Sequence, residues 1–561
     1  ATIAEVDGVE EVFEEVAGDD AKVSVALQRI LDSFEEVHGL GSLLDVRGTL
    51  GDLFEDDSEL AGVQLTLEDD PQESHTLGQV LHRLREVIED NQQSESFLAQ
   101  DLASFVRLLD ILAQDYDVAL MNPPYGSRNR MPKLVREYVE ERYQYTPEFY
   151  INFFEVCNRI AKENGRIGIL VPRSFMFKRR FEDFRSDFVG GAGTFDFLAE
   201  YGIGILDNAT VRTAGTVIRK TSDPAEQGEF LRLHDMPSDE KEDTFLETIS
   251  DERTDDIKRQ YTVSSASLAQ VPGNPISYWT PSLVRGLHDS VYKLDPDAAR
   301  IEGTAVATAA NGMNTGDNSR FLSYLWAVAG NGQFRPYAKG GSDAWIMPIS
   351  NIMINWAQDG KEVYRFPGSV LKNSDLFGKE GLTWTYAKET GRRYGYFPAG
   401  GAFDGKGSML FSKEIDTWVM MAVLNSSLYH SLFLSLTPER DWQVGDVGRI
   451  PWDDRLDVEK LGELAKRQYA HKTSNSIYDP LSRYYRGAAL LPNAKDREFF
   501  FAHPHNRATD IGFEPVEQSG RSADQSIIRL ARQSKMESLE RRRELENLYT
   551  QIDDTVYRLL D

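Results

Sequence analysis

Cysteine is almost absent from this chain: Cys157 is the only one among 561 residues. That excludes a disulfide framework and a cysteine-rich zinc site, and it fits a reducing compartment. Long hydrophobic runs are missing too. No stretch approaches the ~20 apolar residues of a membrane span, and nothing at the start reads as a signal peptide. The expectation is a cytoplasmic protein with no membrane partner and no metal. Positive charge is scarce: 62 Lys and Arg stand against 90 Asp and Glu, a formal net charge of −28. Nucleic-acid binders favour basic surfaces, so one reading is a protein that avoids DNA. The other is adaptation to high salt, where dispersed carboxylates keep the surface hydrated and salt screens their repulsion. The acid is scattered rather than blocked, and Arg outnumbers Lys about twofold. The salt reading is the better fit.

Hydrophobic residues make up 41% of the chain, enough for real cores, and the length allows roughly three or four domains at ~150 residues each. The most informative stretch runs from Tyr116 to Arg130, YDVALMNPPYGSRNR. Its apolar run Val118-Ala119-Leu120-Met121 reads as a buried strand. The strand stops at Asn122-Pro123-Pro124-Tyr125, because the prolines fix φ and bring no N–H to a ladder. A carboxamide and unpaired carbonyls are thus held at a strand end beside an aromatic ring. Taken alone, this tetrapeptide is also compatible with a proline-rich turn.

Asn122-Pro123-Pro124-Tyr125 after an apolar strand resembles the catalytic motif of amino-group methyltransferases that use S-adenosylmethionine, above all adenine-specific DNA methyltransferases. The resemblance implies that the Asn122 side-chain oxygen and the Pro123 carbonyl accept the two hydrogens of an adenine amino group. Its nitrogen then attacks the sulfonium methyl, and Tyr125 stacks on the base once it has left the duplex. The segments that follow carry the resemblance further. An amphipathic helix opens at Pro147 and ends at Gly165, followed by a strand Arg166–Val171 and Pro172-Arg173-Ser174. In this order Phe153 is the implied cofactor contact, although Glu148 and Phe149 depart from the usual helix opening. An ordinary core phenylalanine is the alternative. The segment Gly202–Val211 resembles the loop that closes the target-base pocket, with Leu206 where an aromatic commonly stands, and Ala214–Ile218 reads as a final strand.

Beyond this point Asn311–Phe321, Lys339-Gly340-Gly341 and Leu424-Asn425-Ser426 recur in the order seen in the large methylases of BREX-like phage-exclusion and type IIG restriction systems. The implied architecture is α/β: a partial Rossmann-like S-adenosylmethionine-dependent methyltransferase domain, an α+β target-recognition domain and a helical C-terminal tail. The expected divisions are a mostly helical segment 1–115, the catalytic half 116–222, an acidic linker 223–260, a recognition region 261–490, and a loop with surface helices 491–561. Arg128, Arg130, Lys133, Lys339, Arg392 and Arg393 are the candidate DNA contacts, each with a surface ion pair as the alternative.

The glycine-rich cofactor turn of this family is not legible before Tyr116, so its supply by a missing N-terminal segment or a companion subunit is expected. This chain alone is then expected to be an incomplete enzyme. The expected function is site-specific methylation of adenine in double-stranded DNA, within restriction-modification or phage defence. Two alternatives stay open: a non-catalytic DNA-binding or specificity component, and a protein-glutamine methyltransferase, which also uses Asn-Pro-Pro-Tyr. The salt reading makes its own prediction. The thermal midpoint should rise from low salt to ~1 M, where the screening length falls to about 3 Å. A midpoint that is flat or falls over that range contradicts it.

Overall fold

In a computed structural model of the chain, the residues described are 43–46 and 107–560, with isolated positions 24, 25, 28, 48 and 82. Within 107–560 the exceptions are 127, 147, 190, 192, 207–209, 222, 224, 251–256, 329–330, 341–344, 347–350, 389–392, 439 and 477–526. The expectations for most of 1–106, for Arg392 and for the 491–526 loop therefore lie outside the described residues. The chain divides into two compact units, Ala1–Ala269 and Gln270–Asp561.

The first unit is built on a six-stranded mixed sheet: β1 (Tyr116–Met121), β2 (Ala161–Pro172), β3 (Thr194–Gly202), β4 (Thr213–Arg219), β5 (Gln227–Arg232) and β6 (Gln260–Ser264). The order across the sheet is β1-β2-β4-β3-β5-β6. β1 is parallel to β2, and β3 is parallel to β5. β4 runs antiparallel between β2 and β3. The carboxyl ends of β1, β2, β3 and β5 consequently share one edge of the sheet. The helix Phe149–Ile160 connects β1 to β2 as a parallel pair requires. Its Tyr150, Ile151, Phe153, Phe154, Val156 and Cys157 are all buried, the recurrence of a helix turned into a core.

Two boundaries differ from expectation. The helix ends at Ile160 rather than at Gly165, and β2 begins at once. Asn164 adopts a left-handed φ of 63°, and the pairing with β1 jumps from Tyr116↔Ala161 to Val118↔Arg166, so the residues between them form a bulge. The expected linker 223–260 instead supplies β5, the helix Lys241–Ile249 and the first residue of β6. Phe230, Leu231 and Leu233 are buried there, while the described acidic residues Asp223, Asp235, Asp239, Glu240, Glu242 and Asp243 are exposed. The strand expected to be buried is also corrected. In β1 only Ala119 is buried; Val118 is 54% and Leu120 78% exposed, because β1 is an edge with a neighbour on one side only among the described residues.

The second unit holds two four-stranded sheets and a large core around Trp384, Tyr394 and Trp442. The helix Thr417–Leu424 is buried at every position. The C-terminal helix Ile527–Tyr557, expected on the surface, packs Leu548, Ile552 and Val556 into this same core. Its Asp553 carboxylate accepts from the Ser427 amide at 2.7 Å and from the Ser427 hydroxyl at 2.8 Å. Among the described residues no single helix is long and apolar enough to cross a membrane.

Arg393, a candidate DNA contact, is only 2% exposed. Its guanidinium donates to the Arg440 carbonyl at 2.6 Å, the Tyr386 carbonyl at 3.2 Å and the Lys388 carbonyl, and lies 4.0 Å from the Trp442 ring. The group holds loops of the second unit together and has no face left for a phosphate. Replacing it with methionine strands several carbonyls that now have a charged donor. Arg393→Met should therefore destabilise the protein by about 3 kcal/mol or more, read from urea unfolding. A variant as stable as wild type would mean those bonds contribute nothing.

Candidate functional site

The Pro123-Pro124 turn closes β1 at the shared carboxyl edge. Asn122 and Pro124 are exposed, Pro123 is buried and Tyr125 is half-buried. Among the described residues nothing hydrogen-bonds the Asn122 side chain, which leaves its carbonyl oxygen open to a ligand. Tyr125, by contrast, is anchored. Its hydroxyl donates to the Leu170 carbonyl in β2 at 3.1 Å, and its ring meets Tyr150 edge-on at 6.4 Å. Tyr150 in turn shares a 3.0 Å hydrogen bond with Ser174. The Gly126 carbonyl accepts from the Phe149 amide at 3.0 Å, and a side chain at Gly126 would press on the Phe149 ring at 3.1 Å. Partial burial raises the Tyr125 phenol above its ordinary pKa, so it stays a neutral donor.

Along the same edge, β2 and β3 end on a buried ion pair. Arg173 follows Pro172 and is 4% exposed; Glu200 is 1% exposed and bonded to it. The Arg173 guanidinium also lies 5.5 Å from the Phe177 ring. His234, just past β5, has its Nδ1 3.7 Å from the Glu200 carboxylate. Burial lowers its imidazole pKa, with the Glu200 charge opposing that and Arg173 adding to it. The sequence reading missed this group. A glutamate inside the apolar strand Phe195–Tyr201 was the available signal, since a buried carboxylate calls for a partner.

The remaining candidates fall in several places. Phe153 is a buried core residue of its helix. Leu206 is half-buried in the loop after β3. Arg128 bonds Glu140 at 2.6 Å, Lys133 lies 3.6 Å from Glu137, and Arg130 is exposed without an ion pair to a described residue. In the second unit the Lys339 ammonium sits 2.5 Å from Asp404 and 3.3 Å from Asn318, and the Tyr337 hydroxyl donates to the same Asp404 oxygen at 3.0 Å. Lys339 thus ties two turns together. A small cavity lined by Asp45, Tyr143, Arg159 and Ile160 lies at the amino end of β2, on the opposite edge from the prolines. Among the described residues no cluster of His, Cys, Asp and Glu could hold a metal.

Residues 42–192, which include the whole Pro-Pro turn and its supporting helix, match the family model of the Eco57I restriction-modification methylases. Over these residues the chain is similar to the Eco57I restriction-modification methylases. Over 471 residues the chain is 24% identical to the adenine-specific methyltransferase BrxX of Escherichia coli O9:H4 (strain HS), covering 80% of this chain and 35% of that protein. Over 380 residues it is 25% identical to the adenine-specific methyltransferase PglX of Lacticaseibacillus casei (strain Zhang), covering 63% of this chain and 30% of that one. The chain spans about a third of the length of these relatives. Among solved structures, the type IIL restriction-modification enzyme MmeI in complex with DNA aligns with a TM-score of 0.43 at 9% identity, covering 85% of this chain and 64% of that chain.

The Pro-Pro turn and the buried ion pair are supports at two depths, and they should separate on substitution. Glu200→Gln leaves the Arg173 charge buried without its counter-charge and should cost about 3–5 kcal/mol. Tyr125→Phe keeps the ring and loses one bond to a carbonyl, about 1 kcal/mol. Urea midpoints measured side by side check the ranking, and the reverse order would refute it.

Proposed function

We propose that this protein methylates the exocyclic amino group of adenine in double-stranded DNA, with S-adenosylmethionine as donor, within a restriction-modification or phage-defence system. The observation that carries the reading is the exposed Asn122 carboxamide at the strand end, beside a Tyr125 ring anchored from behind, inside an Eco57I methylase segment. The mixed sheet with an antiparallel strand between β2 and β3 fits the carboxyl-terminal half of a Rossmann-like methyltransferase domain.

An adenine amino group is a weak nucleophile because its lone pair is delocalised into the ring. The Asn122 oxygen and the Pro123 carbonyl supply two acceptors for its two hydrogens. Holding both favours a more tetrahedral nitrogen with the lone pair directed outward. Reaching these acceptors requires the base to leave the stack, and the face of Tyr125 offers it a stacking surface in exchange. S-adenosylmethionine supplies an electrophilic methyl on a sulfonium. Among the described residues, the open side of β1 carries no glycine turn and no acidic pair that would cradle that cofactor. The described groups thus fit the methyl acceptor rather than the donor. The acidic surface is compatible with DNA binding where salt screens it, and Arg130 is an exposed basic residue shortly after the prolines without an ion pair to a described residue.

Asn122 acts on the turned-out amino group alone, so Asn122→Ala should lower methyl transfer from labelled cofactor to duplex DNA by about 100-fold or more, with duplex affinity unchanged. The full-length protein is the material for this test. Wild-type turnover by the variant, or label appearing in protein rather than DNA, would overturn the reading.

A further inference from the structure

The loop leaving β3 is held by a charge that the proposed chemistry does not use. Lys241, at the start of the helix Lys241–Ile249, is only 3% exposed. Its ammonium donates to the carbonyls of Tyr201 and Ile203, both at 2.5 Å. It forms no ion pair with a described residue. An ammonium taken out of water is costly unless its donors are used, and here burial lowers its pKa against the pull of Asp235. The loop it binds is also pressed down by shape. Gly202 and Gly204 have φ of 73° and 92°. A side chain at Gly202 would meet the His234 carbonyl at 2.4 Å, and one at Gly204 the Ser238 hydroxyl at 1.7 Å.

So constrained, the loop presents two apolar side chains to water, Ile203 at 46% and Ile205 at 39% exposed, while Leu206 is half-buried. It does so at the carboxyl edge that carries Asn122. With β2 and β4 intervening, the two ends stand about three strand spacings apart, ~14 Å. We infer that Lys241 is a positioning residue for this edge: its buried ammonium clamps the 201–205 backbone so that Ile203 and Ile205 form a preformed apolar wall for the base that Asn122 receives. This rests on the methyl-transfer reading above. It adds what holds the wall in place, and it assigns the contact to Ile203 and Ile205 rather than to Leu206. A wall set before the base arrives spares the ordering that a free loop would undergo on binding.

The test is a double-mutant cycle in the full-length protein, assaying methyl transfer from labelled S-adenosylmethionine to unmethylated duplex DNA, with Asn122→Ala as the reference for lost chemistry. The paired replacement Ile203→Ser/Ile205→Ser alters exposed side chains and should leave the thermal midpoint in place. It should lower kcat about tenfold or more, the scale of one lost contact to a base, with KM for DNA little changed. Lys241→Met should lower kcat to a similar degree in the wild-type background and add nothing in the background of the paired replacement, because both act through one loop. A Lys241 role confined to stability would instead lower the midpoint equally in both backgrounds and leave kcat of the folded fraction intact, which overturns the inference. If Lys241→Met fails to fold, the exposed pair decides: wild-type kcat in the Ile203→Ser/Ile205→Ser variant overturns it. Activity that survives Asn122→Ala removes the underlying reading and this inference with it. Loss on Asn122→Ala with no effect of the loop replacements removes the inference alone.

Discussion

The hydrogen bond from Tyr125 to the Leu170 carbonyl is the link on which the site depends. The two prolines end β1 without giving it an N–H to pair, so the turn could swing freely at the sheet edge. The phenol bonds it to the neighbouring strand, and the ring meets edge-on that of Tyr150, which is itself bonded to Ser174 just past the carboxyl end of β2. The helix between β1 and β2 therefore does two things at once. It makes the parallel pairing possible, and it carries the Tyr150 that supports the turn. Among the described residues no hydrogen bond engages the exposed Asn122 carboxamide at the head of this turn.

Ionic groups in the two units illustrate one rule with different outcomes. Arg173 with Glu200, Lys241 and Arg393 are all buried, and each directs terminal polar atoms at carbonyls or a carboxylate. Removing either half of such an arrangement costs more than the arrangement itself contributes, because the remaining half stays out of water. Their positions follow from that. Arg393 joins loops inside the second unit, whereas Arg173, Glu200 and Lys241 fix chain ends along the edge where β1 terminates. The exposed pairs, such as Lys133 with Glu137, are of the kind that contributes little to stability.

The open flank of β1 also has a physical consequence. Among the described residues β1 is an edge strand, and with Val118 and Leu120 exposed it combines open backbone groups and apolar surface, which proteins normally cover. Leu120 folds over Gly168 of β2, where a side chain at Gly168 would meet it at 2.4 Å. This shields part of that surface locally.

The sequence by itself determined the strand, its termination and the residues that flank it, because those rest on local rules: an apolar run, two prolines without N–H groups, and a helix whose large residues recur every three or four positions. The Eco57I match of 42–192 agrees with the reading those residues supported. Only the tertiary structure decided which charged residues are spent inside. Arg392 and Arg393 are indistinguishable as an Arg-Arg pair, yet Arg393 lies against Trp442 through a fold that brings residue 440 beside it. The acidic stretch after Asp223 carried a composition typical of linkers, and β5 and β6 emerged there because their partners come from β3 and from each other. Lys241 gave no sign at all in a run of acids. Its role depends on two carbonyls about forty positions earlier in the chain, and a partnership between side chain and distant backbone leaves no trace in either segment's own pattern.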